Sequence, residues 1–284
     1  MKRSLSILAI SVISLVGLPS CKVDSPTAVE AQQTPVEIRI TGSGSTYPAM
    51  KILGAAYETK VDNAKISFLP SSQSSSGIAG VKEGLVEIGT ISRKLKPKED
   101  DGSLVYQEVA RDALLVATHP SVEGVTNLST EQLQGIYSGA ITNWQQLGGA
   151  DATIVVLDRP EDESAKRLLR QHYLGQELQK APDAVILRHE SDLIESLQST
   201  PYSIGAFSLA YAIMNELEVN RLSLNGIEPT PENVQVGRYP MVRHLGIVFP
   251  TTPLETVQEF INFAFSEEGS QQLSKSGFVT SLQN

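Results

Sequence analysis

Cysteine is nearly absent from this 284-residue chain; Cys21 is the only one. No disulfide can close within the chain, and no cysteine-rich metal site can be assembled. The four histidines, His119, His172, His189 and His244, show no H-x-x-x-H spacing, so no metal centre is expected. Basic residues are outnumbered: 23 Lys+Arg stand against 32 Asp+Glu, for a net charge of −9. That balance argues against a nucleic-acid partner. It leaves small anions open, because a local array of donors can hold one inside an acidic protein. Long apolar runs are missing apart from LSILAISVISLVGL (5–18), which is too short for a comfortable membrane span. Nucleotide and nucleophile motifs are missing as well. G-x-x-x-x-G-K-[ST] and G-x-S-x-G do not occur, and G-x-G-x-x-G fails at Tyr47. Neither a cofactor nor a catalytic centre is expected.

What is present begins with an export signal. Lys2 and Arg3 precede the apolar run, and Leu18-Pro19-Ser20-Cys21 follows it. This ending resembles the lipobox of bacterial lipoproteins, although Pro19 is unusual there. A lipid on Cys21 gives the lone cysteine of an exported protein a reason; an ordinary cleaved signal peptide is the alternative. Residues 1–20 are then the signal peptide. Residues 21–35, polar and containing Pro26, read as a flexible tether to the membrane. The rest is long enough for one large domain or two lobes.

Strand-like and helical segments alternate along that remainder. VEIRITG (36–42), AKISFLP (64–70), VEIGTIS (86–92), ALLVATHP (113–120), ATIVVLDR (152–159) and MVRHLGIVFP (241–250) read as strands. Helices are expected over 48–60, 78–85, 128–137, 162–174 and 253–266. Ser129 and Gln132 form a capping box for the third, and Val257, Phe260, Ile261 and Ala264 an apolar stripe on the last. The alternation indicates an α/β protein with mainly parallel sheet.

Two loops stand out. TGSGSTYPA (41–49) places hydroxyls and glycines before a helix, with Pro48 suited to its first turn. SSQSSSG (71–77) repeats the arrangement. A helix N-terminus carries unpaired N–H groups and the positive end of the macrodipole, so such a turn can surround an anion without a formal positive charge. Ser45, Thr46 and the Tyr47 amide are candidates in the first loop, and Ser74, Ser75 and Ser76 in the second. Taken singly, each loop also reads as a capped helix start or a solvated turn. Together they fall at the carboxyl ends of strands, where open α/β sheets bind ligands.

TGSGSTYPA, SSSGIAGVKEGLVEIGTISRKLK, LSTEQLQGIYSGAITNWQQLGG and YPMVRHLGIVF resemble, in that order, the phosphate-binding proteins of bacterial ABC importers. The resemblance implies a two-lobed, hinge-closing fold of the periplasmic-binding-protein type II class. One lobe is expected over 36–115 plus 240–284 and the other over 116–239. It implies inorganic phosphate or a similar oxyanion as ligand, an ABC permease in the inner membrane as partner, and a monomer that is not an enzyme. Thr46, the Tyr47 amide and one or more of Ser74, Ser75 and Ser76 are then ligand contacts, joined by Ser92 and Arg93 after the VEIGTIS strand. Trp144 is expected in the core.

The second lobe departs from the family. An arginine followed by a Ser-Gly-Thr helix start is usual; here the stretch is LDRPEDESAKRLLRQHYL (157–174). Arg159 and Ser164 can stand for the arginine and serine, but Ala165 and Lys166 replace the glycine and threonine. Glu161, Asp162 and Glu163 also enter. Acids in a first turn suit the macrodipole. A sharper expectation is that Asp158, Glu161 or Asp162 accepts a ligand proton, which phosphate has and sulfate lacks. Arg243 is expected in an ion pair at the hinge or lobe boundary. Another oxyanion, a small organic anion, or a cell-surface binding role without transport remain alternatives.

Overall fold

Alternation along VEIRITG produces a half-buried strand. In the computed structural model, which describes residues 36–280, β1 (Val36–Gly42) buries Ile38 and Ile40 and exposes Glu37. It lies between two parallel neighbours, β2 (Ala64–Phe68) and β3 (Ile88–Ile91). The links are α1 (Tyr47–Glu58) and α2 (Ser74–Lys82). Helix α1 turns Ala49, Met50, Leu53 and Tyr57 inward at helical spacing. The expected signal peptide, Cys21 and the tether lie outside the described residues.

The chain then runs through β4 (Leu104–Thr118), β5 (Asn127–Leu128), α3 (Thr130–Ser138), β6 (Val155–Asp158) and α4 (Ser164–Leu169). A π-helical turn at Arg170–Leu174 extends α4. Next come β7 (Val185–Ile186), α5 (Glu190–Ser199), β8 (Ser203–Ser208), α6 (Leu209–Met214), β9 (Asn220–Arg221), β10 (Ser223–Leu224) and α7 (Pro231–Gln235). The described chain closes with β11 (Val242–Pro250), α8 (Glu255–Ala264) and α9 (Glu267–Lys275).

The strands form a mixed sheet in the order β2-β1-β3-β11-β4-β8-β6-β7, with β9 beside β4. Strand β4 is the long member. Its first part, Leu104 to Ala113, pairs antiparallel with β11, and its last part, Leu114 to Thr118, with β8. Where the partners change, Tyr239 donates its hydroxyl to the Leu114 carbonyl at 2.7 Å, and Leu114 N–H donates to Met241 at 2.8 Å.

Apolar side chains separate into distinct clusters along this strand. Residues between Ala113 and Met241, with Val279, form one; it holds Trp144, which is fully buried and donates to the Tyr202 carbonyl at 2.9 Å. Residues 38–110 and 245–278, with Ala210, form another, and a smaller one surrounds Ile78 and Val248. The stripe Val257, Phe260, Ile261 and Ala264 packs as its spacing predicts.

Two elements differ from expectation in ways that matter for the site. Helix α2 starts at Ser74, four residues before the expected start at 78, so the serines are its first turn and not the loop before it. Gln73 is extended, and its carbonyl accepts from the N–H groups of Ser76 and Gly77, which sets the start there. Helix α5, absent from the expected elements although its apolar residues fall at helical spacing, is held by Leu193, Ile194 and Leu197 against the larger cluster.

Candidate functional site

Strands β1 and β3 end side by side, and the turn after β1 fits only without a side chain. Gly42 has φ +125°, and a Cβ there would fall 2.2 Å from the Thr90 carbonyl oxygen. The Ser43 N–H then donates to that oxygen at 2.8 Å. A 3-10 turn at Gly44–Thr46 feeds α1 and uses up donors expected to be free. Thr46 N–H donates to Ser43 O at 3.1 Å, and Tyr47 N–H to Gly44 O. The Thr46 hydroxyl is fully buried and donates to Ile91 O at 2.9 Å. Thr46 and the Tyr47 amide are therefore corrected from ligand candidates to donors spent within the turn. Ser45 keeps its hydroxyl and lines a cavity of about 1420 Å³. The Tyr47 ring also lines it, with its hydroxyl on the Leu69 carbonyl at 2.8 Å.

Ser74, Ser75, Ser92 and Arg93 line the same cavity. Ser74 accepts from the Ser92 N–H at 3.2 Å, which ties the start of α2 to the end of β3. Ser76 is exposed and does not line the cavity: its place in the first helical turn points it elsewhere. Arg93 reaches the cavity already paired, its two terminal nitrogens 2.7 and 2.8 Å from the Glu99 oxygens. Those hydrogen bonds hold the Glu99 carboxyl down at about 2.

The facing wall comes from the end of β6 and the start of α4. Arg159 and Ser164 line the cavity from this side. Lys166, where a threonine was expected, is almost fully buried and bonds Asp158, which is equally buried. Its ammonium also lies 5.2 Å from the centre of the Tyr137 ring. The second Asp158 oxygen accepts the Arg159 N–H at 2.8 Å. Asp158 thus holds the turn together and does not face a ligand. Glu161 is bound by Arg170 at 2.7 Å, and Asp162 stands 3.5 Å from Arg188. None of these three carboxylates lines the cavity, which corrects the expectation that one accepts a ligand proton there. The carboxylates that do line it are Glu163 and Glu190.

Arg159 is the unusual member. Its side chain is only 7% exposed, and one terminal nitrogen lies 3.3 Å from Glu163. Its Nε and Nη1 are buried with no hydrogen-bond partner. Buried donors left unpaired cost about 1–3 kcal/mol each.

The cavity floor holds an ion cluster. Arg243 on β11 lies 2.7 Å from Asp112 on β4 and 2.9 Å from Glu190 at the start of α5. Asp112 also accepts the Ala210 N–H at 3.0 Å. Burial raises the Asp112 carboxyl despite the guanidinium beside it. Burial opposes charge on Glu190 and Arg243 too, but their mutual attraction wins: Glu190 is lowered and Arg243 raised. Among the described residues, 8 Lys and Arg line the cavity against those 2 Glu, in a chain whose acids outnumber its bases. Sequence reading missed Lys51, Lys94, Lys96, Arg167, Arg188 and Glu190 in this role. Their only signal was sign of charge, which does not say which residues share a cleft.

A mixed α/β sheet with serine-bearing helix starts and arginines gathered at one cleft defines the periplasmic-binding-protein type II class. Residues 28–268 match the family model described as a PBP superfamily domain, and the chain belongs to that superfamily. The phosphate-binding protein PstS of Borreliella burgdorferi is 30% identical over 251 residues, covering 85% of this chain and 89% of that protein. PstS of Bacillus subtilis is 28% identical, covering 88% of this chain and 82% of that one. Among solved structures, a candidate phosphate ABC transporter substrate-binding protein from Clostridium perfringens, with bound phosphate, is 30% identical. It has a TM-score of 0.73 and covers 86% of this chain and 99% of its own.

Proposed function

We propose that this chain binds inorganic phosphate in the cleft and delivers it to an ABC importer, without catalysing a reaction. The observation that carries the reading is Arg159: two buried N–H donors without partners, in a cleft lined by serine hydroxyls and excess positive charge. An anion drawn in as the walls close on Arg159 can reach those donors and turn a cost into charge-assisted hydrogen bonds. Ser45, Ser74, Ser75, Ser92 and Arg93 contribute from one wall, Arg159 and Ser164 from the other. The walls belong to separate apolar clusters, supporting lobes of 36–115 plus 240–284 and of 116–239 that close about the crossings at β4 and β11. The protein works as an extracytoplasmic monomer, tethered through a lipid on Cys21.

Calorimetric titration of protein dialysed free of anions tests this. Saturable one-site phosphate binding is expected. Absence of phosphate binding would falsify the reading while leaving the family assignment intact. Mass spectrometry of the membrane fraction tests the anchor: a Cys21 without lipid overturns that part alone.

A further inference from the structure

The cleft carries more positive charge than one phosphate uses. Lys51 on α1, Lys94 and Lys96 after β3, and Arg167 on α4 are exposed, and all line the cavity that holds Ser45 and Arg159. None lies within ion-pair distance of a carboxylate among the described residues. Arg167 donates to the main-chain carbonyl of Asp162, and the Lys51 ammonium lies 5.8 Å from the centre of the Phe68 ring. The inner cations differ. Arg93, Arg159 and Arg243 each have a carboxylate: Glu99, Glu163, and Asp112 with Glu190. The four exposed cations without a close carboxylate, the outer ones, come from both walls; Glu108 and Glu99 reach Lys94 and Lys96 only through longer-range attraction. The open cleft, at about 1420 Å³, exceeds the usual range for a small-ligand pocket.

We propose that the cleft also takes condensed phosphates, pyrophosphate being the smallest. One phosphoryl group sits among Ser45, Ser92, Arg159 and Ser164; the next lies against Lys51, Lys94, Lys96 and Arg167. This rests on the phosphate reading of the same cleft. A bare phosphate leaves the outer cations without a close anionic partner, whereas a second phosphoryl group gives them one of matching charge.

The test titrates phosphate and pyrophosphate, in magnesium-free buffer at physiological salt, into the wild type and a K51Q/K96Q/R167Q variant. Circular dichroism and thermal melting check that the variant is folded. Pyrophosphate is expected to bind the wild type at least as tightly as phosphate. The variant is expected to lose about 30-fold in pyrophosphate affinity, from three partly screened charges. Its phosphate affinity should stay within about threefold. Phosphate binding that pyrophosphate cannot compete with overturns this proposal alone. Equal pyrophosphate affinity in variant and wild type overturns it as well. So does slower phosphate association in the variant without pyrophosphate binding, which makes the outer cations a steering field only. If phosphate does not bind, the phosphate reading fails and this one with it, whatever pyrophosphate does.

Discussion

Replacing Arg159 by methionine separates a binding role from a structural one, because the two predict opposite effects on the unliganded protein. Arg159 is 7% exposed, with Nε and Nη1 unpaired and a single ion pair, 3.3 Å, to Glu163. If its role were to hold the fold, removing it would destabilise the empty protein. Instead, two unsatisfied donors vanish and Glu163, partly exposed, stays hydrated, so the unliganded melting temperature should hold steady or rise. Ligand binding should suffer. Two charge-assisted hydrogen bonds at about 1.5–3 kcal/mol each give about 3–6 kcal/mol, or roughly 10² to 10⁴ in Kd. Glu163, freed from its partner, adds repulsion; an R159M/E163Q variant removes that contribution. Calorimetry gives Kd, and a melt with phosphate gives an independent reading. Phosphate at about 100 times the wild-type Kd stabilises by about 2.7 kcal/mol, which is roughly 5–10 °C in a domain of this size. That shift should vanish in both variants. An Arg159→Met protein that binds phosphate within about threefold of wild type, or that melts far lower when empty, would refute the reasoning.

Three further outcomes are expected. Arg243→Met leaves Asp112 buried without its guanidinium and should cost about 3–5 kcal/mol in urea unfolding, with R243M/D112N recovering part; additive effects would deny the pairing. Glu99 is held at about 2, below its usual 4.5, so its contribution to stability is complete above about 4.5 and is lost as pH falls toward 2. Glu99→Gln should flatten that acid limb, and an unchanged urea midpoint profile between those pH values would count against the Arg93 pair. Gly42→Ala pushes a methyl against the Thr90 carbonyl and should destabilise by about 1–3 kcal/mol or more, while also weakening phosphate binding through Ser45; a neutral melt and unchanged Kd would show that the turn is less constrained than its φ implies.

Sequence alone determined what depends on local order. Period-two alternation placed β1, and the i, i+3, i+4 spacing placed α1 and α8, because each pattern has one face to bury. The Ser129 and Gln132 capping box also formed as spelled, since its hydrogen bonds span only three residues. The motif order pointed to the family, and glycine-hydroxyl turns marked the cleft. Tertiary structure decided which donors remain available there. Thr46 resembles Ser45 in sequence, yet its hydroxyl is captured by Ile91, a neighbour that is close only because β3 lies beside β1. Asp158, Glu161 and Asp162 are captured by Lys166, Arg170 and Arg188, leaving Glu163 and Glu190 to the cavity. Charge, burial and hydrogen-bond capacity belong to a residue's neighbours in space as much as to its side chain. Those neighbours can come from elements 131 positions apart, as Asp112 and Arg243 do, and no local pattern encodes that distance.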